Sequence, residues 1–222
     1  MPILMLTGVD ARLANLTSTV ALFPGQIVAG IRGRAMARGS IPGAGALSMG
    51  ALAVINLSGG AIGAGLLLAT PSRTFADLVP WLVLFATCLF IASSFVPRVK
   101  ATPRTPRPIL FGAAQFLIAI YGGYFGGGNG FLMLAALSLA GVASRSAVAL
   151  KNILLALINA AAMLVFVLSA RAVLDKAAVV GAGALLGGIA GVWVLRRIDE
   201  RILRAVVAVI GLTLTAWLFA VG

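Results

Sequence analysis

Long apolar runs broken by short polar connections set the pattern of this chain from end to end. They fall at Ala11 to Ile31, Ile41 to Ala69, Leu78 to Val96, Ile109 to Phe125, Ser146 to Ala170, Val173 to Leu195 and Arg201 to Val221. Runs of about 18 residues or more are long enough to cross roughly 30 Å of hydrocarbon as helices. Helices are expected because each backbone group in lipid must be satisfied within its own segment. A shorter stretch, Gly130 to Ala140, is too brief to cross and reads as a half-helix. The pattern predicts an all-α, polytopic transmembrane bundle of about seven spans plus that half-helix.

Between Val96 and Ile109 the sequence PRVKATPRTPRP carries four prolines and four basic residues, which marks an exposed linker. It divides the chain into a first membrane unit (1–96), a linker (97–108) and a second unit (109–222). The two units resemble each other. LTGVDARLA at Leu6 to Ala14 aligns with LAGVASRSA at Leu139 to Ala147, at an offset of 133. Further on, Gly59, Gly60, Gly63, Arg73 and Thr87 fall on Gly187, Gly188, Gly191, Arg201 and Thr215 at an offset of 128. Two matches in the same order point to an internal duplication with one change of loop length. Subtracting 133 from the glycine-rich stretch Gly122 to Gly130 gives positions ahead of Met1. The first copy is therefore expected to lack its leading helix and glycine break, either through a start assigned too far downstream, the favoured reading, or because the chain is a truncated and inactive relative.

Charge refines the topology. The chain has 17 Lys and Arg against five acids, no His, 61% hydrophobic residues and 10% charged ones. A soluble globule needs about a quarter charged, so the solvent here is lipid. A net charge of +12 would suit nucleic acid in a soluble protein, but these basic residues sit in short connections, so membrane topology explains them and no nucleic-acid partner is expected. If the region Ile109 to Ala140 enters and returns to the same face, one side collects twelve basic residues and the other four: Arg12, Arg73, Arg171 and Lys176. A single crossing would give nine and seven. The stronger bias selects the returning hairpin, and with it two inverted repeats. It also predicts a multi-pass bacterial inner-membrane protein with the Arg-rich loops 32–40, 97–107 and 196–204 in the cytoplasm. Met1 to Leu6 has neither the basic start nor the apolar core of a cleavable signal peptide.

Candidate chemistry is sparse and one-signed. In YGGYFGGGNG, Tyr121 to Gly130, six of ten residues are glycine, which breaks a helix at membrane depth. Asn129 is then expected as the N-cap of the short arm, whose free N–H groups and positive dipole end suit an anion. Gly127, Gly128 and Gly130 belong to the same break; close packing is their alternative role. Lys151 is the one ionisable side chain well inside a span, which makes it a binding candidate against the alternative of snorkelling back to the headgroups. Asn152 and Asn159 lie seven residues apart, near one helix face. At the offset of 133, Lys151, Asn152 and Asn159 fall on Ser18, Thr19 and Gln26, all polar, with Asn15 beside them. These positions predict a shared central site, or interhelical hydrogen bonds without a ligand. Gly183, Gly187 and Gly191, matched by Gly59 and Gly63, read as helix contact.

The five acids, Asp10, Asp77, Asp175, Asp199 and Glu200, fall at span ends or in loops, and Cys88 has no second cysteine. No metal cluster, acid–base pair or activated nucleophile can be assembled, so an enzyme is not expected and no cofactor is implied. The segments GGYFGGGNGFLMLAALSLAGVASRSAVALKN and PILMLTGVDARLANLTSTVALFPG resemble the TauE/SafE sulfite exporter family, part of the 4-toluene sulfonate uptake permease group. That resemblance implies a transporter of sulfite, organosulfonates or related small anions, with the substrate between the two halves. A non-transporting membrane scaffold or assembly factor is the rival expectation. Membrane lipid is the expected surround, and a homo-oligomer is compatible with these features.

Overall fold

The structure, a computed structural model, describes residues 10–21, 23, 47–95, 107–140, 142, 144–169 and 200–221. Among them are seven helices: α1 (11–21), α2 (Met49–Ala69), α3 (Ser72–Phe95), α4 (Pro108–Tyr124), α5 (Asn129–Leu139), α6 (Ser144–Leu168) and α7 (Glu200–Val221). Three segments, Met49–Ala69, Ser72–Ala92 and Ser146–Leu168, are long and apolar enough to span a membrane. The expectation of about seven spans is thus met in part. α4 and the apolar part of α7, Ala205–Ala220, are shorter. The predicted spans at Ala11 to Ile31 and Ile41 to Ala69 are described only in part, and Val173 to Leu195 lies outside the described residues.

Local chemistry sets several helix ends. Ser48 caps α2 by accepting the Ala51 amide at 3.2 Å, one of the four donors that every helix start leaves open. α3 begins at Ser72 rather than Leu78, because its first turns, SRTFAD, are helical although polar. Pro80 sits inside that helix, where its missing N–H gives up one backbone bond. Pro108 opens α4, a position where a missing N–H costs nothing. At the other end of α2, Arg12 of α1 reaches across and its guanidinium donates to Thr70 O at 2.9 Å and Leu68 O at 3.3 Å. Carbonyls at a helix end lack internal partners, and a cation there also complements the dipole. Arg12→Met is expected to lower stability by about 1–3 kcal/mol, the range for a lost charged hydrogen bond. Thermal unfolding in detergent measures this, and an unchanged midpoint would contradict the capping role.

α2, α4 and α6 run parallel as the central layer. Going up α2, Ile55 meets Gly112, Gly59 meets Phe116 and Ala119, and Gly63 meets Ile120 and Tyr124. In the same direction Leu52 shares a core cluster with Leu150 and Leu154, Gly60 touches Ile158, and Ala64 and Leu67 share a second cluster with Ala162 and Phe166. The glycines let backbones approach where lipid gives no hydrophobic force between helices. A Cβ on Gly60 would stand 2.7 Å from Ile158 O. The helix-contact role expected of Gly59 and Gly63 is what the structure contains; their matches Gly187 and Gly191, like Gly183, lie outside the described residues.

α5 turns back against α4. Phe111 at the start of α4, Leu137 and Ala140 at the end of α5, and Ala147 and Leu150 at the start of α6 meet in one cluster. The hairpin predicted from charge is therefore present. The starts of α2, α4 and α6 share one end of the bundle; Arg107 and Arg145 occur in sequence there. α3 and α7 are antiparallel, with Thr87 beside Gly211 and Trp81 edge-on to Phe219 at 5.0 Å. α1 enters from the opposite end, since Arg12 meets Thr70 while Asn15, one turn on, meets Tyr124.

Candidate functional site

The break between α4 and α5 is the focus of the bundle. Its backbone turns through Gly126 and Gly128, both with positive φ of 76° and 73°, a region that side-chain-bearing residues rarely adopt. This corrects one expectation. Gly128, not Asn129, is the N-cap of α5, and Asn129 is already in the first turn. Its amide side chain lies over Gly122, where a Cβ would collide with it, so it is aimed away from the amides it would have to cap. The left-handed cap conformation favours glycine, and that preference outweighs the general capping preference for Asn.

Neighbouring helices hold the break in place. The Tyr121 hydroxyl donates to Gly127 O at 2.7 Å. From α1, Asn15 Nδ2 donates to Tyr124 O at 3.0 Å, satisfying a carbonyl at the end of α4. From α3, Phe85 packs edge-on to Tyr121 at 5.8 Å, Phe90 to Phe131 at 4.8 Å, and Ala86 lies against Gly128. Bonding resumes where Phe131 N donates to Gly128 O at 3.0 Å. Among the described residues no acceptor faces the amides of Gly127, Gly128, Asn129 and Gly130. A helix start with open amides carries positive potential.

Lys151 comes to this same point. A Cβ built on Gly130 would stand 3.6 Å from Leu155 Cδ1, 3.9 Å from Lys151 Cδ and 4.0 Å from Lys151 Nζ. Gly130 lies beside Leu155, one turn deeper along α6 than Lys151, so the lysine side chain extends toward the break and not back to the start of its helix. Lys151 is half-buried. The described acids Asp10, Asp77 and Glu200 lie in the first two turns of other helices or just before them. An ammonium and a helix N-terminus repel one another, and an anion between them relieves both.

The other candidates divide by what their polar atoms already do. Ser18 Oγ donates to Ala14 O at 2.7 Å, Thr19 Oγ1 to Asn15 O at 3.1 Å and Asn159 Nδ2 to Leu155 O at 2.9 Å, each within its own helix. Asn15, Ser18, Asn129 and Asn159 are buried, and Thr19 and Asn152 are intermediate. Gln26 lies outside the described residues. The structure brings Gly130 and Lys151 together and sets Asn15 at the end of α4. Gly127 and Gly128 instead border a 210 Å³ pocket toward α3 and α7, lined mostly by apolar side chains such as Val83, Phe90 and Val207. That pocket suits no anion.

Two buried amides escaped the sequence pattern. Gln115 and Asn56 are fully buried, and both polar atoms of Gln115, like Oδ1 of Asn56 and of Asn129, have no hydrogen-bond partner. The signal that could have found them is polarity inside a span, since an uncharged amide at membrane depth also needs a reason. Among the described residues there is no group of His, Cys, Asp or Glu able to hold a metal ion.

Apolar helices packed through glycine, a helix broken by glycine and a lysine turned to that break are the features of this multi-pass membrane protein. The profile of the sulfite exporter TauE/SafE family matches residues 1–218, and the chain belongs to that family. It is a transporter family, not an enzyme family. Comparison with curated proteins and with solved structures returns no match.

Proposed function

We propose that the protein carries a small anion, sulfite, an organosulfonate or a related sulfur compound, across a bacterial inner membrane. The observation that carries this reading is Lys151 Nζ beside Gly130, where the open amides of the α5 start and a fixed positive charge share one spot. Asn129 and Gly130 supply backbone donors there, Gly127 and Gly128 form the turn that leaves those amides open, and Lys151 supplies the charge. Asn152 and Asn159, on the α6 side, and Asn15, Ser18, Thr19 and Gln26, from the first half, complete the surroundings.

Alternating access between two inverted halves is the proposed mechanism. At the offset of 128, residues 72–93 fall on 200–221, so α3 and α7 are the matched helices, and they pack antiparallel. At the offset of 133, 11–21 falls on 144–154, so α1 matches the start of α6, and these helices enter from opposite ends. Opposed directions in matched helices support a two-fold axis lying in the membrane plane. The gathering of helix starts that follow basic segments supports placing that end, with loops 32–40, 97–107 and 196–204, in the cytoplasm.

Flux into liposomes reconstituted with the full chain tests the proposal. Sulfite, thiosulfate, sulfoacetate and simple carboxylates should be compared, and saturable uptake of at least one sulfur oxyanion is expected. A complete absence of saturable flux across the panel would favour the scaffold reading.

A further inference from the structure

The unpartnered amides of Gln115 and Asn56 lie in the contact between α2 and α4. Asn56 Nδ2 donates to Leu52 O at 2.8 Å, but its Oδ1 and both polar atoms of Gln115 are buried without a hydrogen-bond partner. Their depth follows from their neighbours. Gln115 sits one turn from Phe111 and one turn from Ala119, while Asn56 sits one turn from Leu52 and close to Gly59, which touches Ala119. Leu52, Phe111 and Ala119 share one core cluster, so the two amides occupy the same level of the bundle. Gln115 precedes Gly122 by seven residues, which places it about 10 Å from the break along the α4 axis. Asn129, also with an unpartnered Oδ1 and only 2% exposed, stands at the break end of that interval. The bundle end on the other side of Gln115 is the one where helices follow basic segments.

Leaving buried amides unsatisfied costs free energy, and an apolar side chain of similar size would remove the cost. Structure alone therefore gives no reason to keep them. We infer that Gln115 and Asn56 form a second polar station on the substrate route, closed in this conformation, which a small oxyanion with its water occupies between the Lys151 site and the basic end of the bundle. Gln115 Nε2 donates to the oxyanion oxygens, and Gln115 Oε1 and Asn56 Oδ1 accept from water that travels with it. The inference rests on the anion-transport reading above.

Two measurements on the full chain in liposomes test it. Gln115→Leu should cut saturable sulfite flux by about ten-fold or more while leaving the thermal midpoint unchanged or raised, because it removes unsatisfied groups. A side chain that served packing alone would give the same stability and wild-type flux, which would overturn the station. Separately, after Cys88→Ser removes the exposed native thiol, Gln115→Cys should react with a sulfonate-bearing methanethiosulfonate reagent, and more slowly with its cationic analogue. A thiol at position 115 inert to both reagents overturns the station even when wild-type sulfite flux is intact. If wild-type protein carries no flux, the transport reading fails, and labelling still decides whether the 115 level opens to a hydrated anion.

Discussion

Lys151→Met is expected to reduce saturable anion flux by about ten- to a hundred-fold with protein abundance unchanged. Met keeps most of the length and the apolar stem that runs past Leu155, and it removes the ammonium group at Gly130. Two unit charges about 4 Å apart interact by about 4 kcal/mol at an effective dielectric of about 20. Lys151 is only half-buried, so water screens part of this and about 1.4–2.8 kcal/mol remains, which corresponds to the stated range. The loss should fall on KM at least as much as on the maximal rate, because the charge acts on the bound anion. Lys151→Arg should keep part of the flux, since it retains charge but presents a planar fork in place of a compact ammonium. Wild-type flux in Lys151→Met would remove this residue from the site and leave its reach toward the break without a functional reason.

Lys151 was legible in the sequence because a single charge deep in an apolar span stands out against every neighbour. Its direction was not, since a flexible four-carbon stem can reach either way and only the packing of α5 against α6 decides. The glycine break and the short arm were likewise legible: α4 and α5 lie within a residue of the expected bounds, because a run of glycine between apolar stretches has few readings. Asn129 falls one position past the cap. The sequence carries a capping preference for Asn, but the turn needs a left-handed residue immediately before the helix, and Gly128 meets that need. The early start of α3 was hidden for a related reason: SRTFAD reads as a polar connection, yet at an interface such residues stay helical. Gln115 and Asn56 show in the sequence only as polarity inside a span, because a lone amide among apolar residues has no spacing partner to mark it as a site. Only the three-dimensional packing reveals that nothing satisfies them. The support that Asn15 gives the Tyr124 carbonyl also depends on a contact 109 residues away in sequence.

Gly63→Ala is expected to be among the most damaging single-methyl changes in the described bundle, and Gly65→Ala, two residues on, to be harmless. At Gly63 a Cβ would fall on the Ile120 carbonyl and stand 2.8 Å from Tyr124 N. Both atoms are backbone of α4, so no rotamer change can make room, and the parallel pair α2 and α4 has to separate. That separation also pulls on Tyr124, whose carbonyl holds Asn15, and so loosens the end of α4 on which the break depends. Overpacking of this kind costs on the order of 1–3 kcal/mol, and the rigid neighbours place this case at the upper end. Gly65 meets nothing within 4 Å, so alanine there adds only its helix preference of about 1 kcal/mol. Thermal unfolding of the two purified variants in one detergent separates them: the Gly63→Ala midpoint should fall by several degrees, and that of Gly65→Ala should hold or rise. Equal midpoints would mean that the α2–α4 contact yields freely. The glycines at 59, 60 and 63 would then no longer explain how a bundle without a hydrophobic driving force keeps its central layer closed.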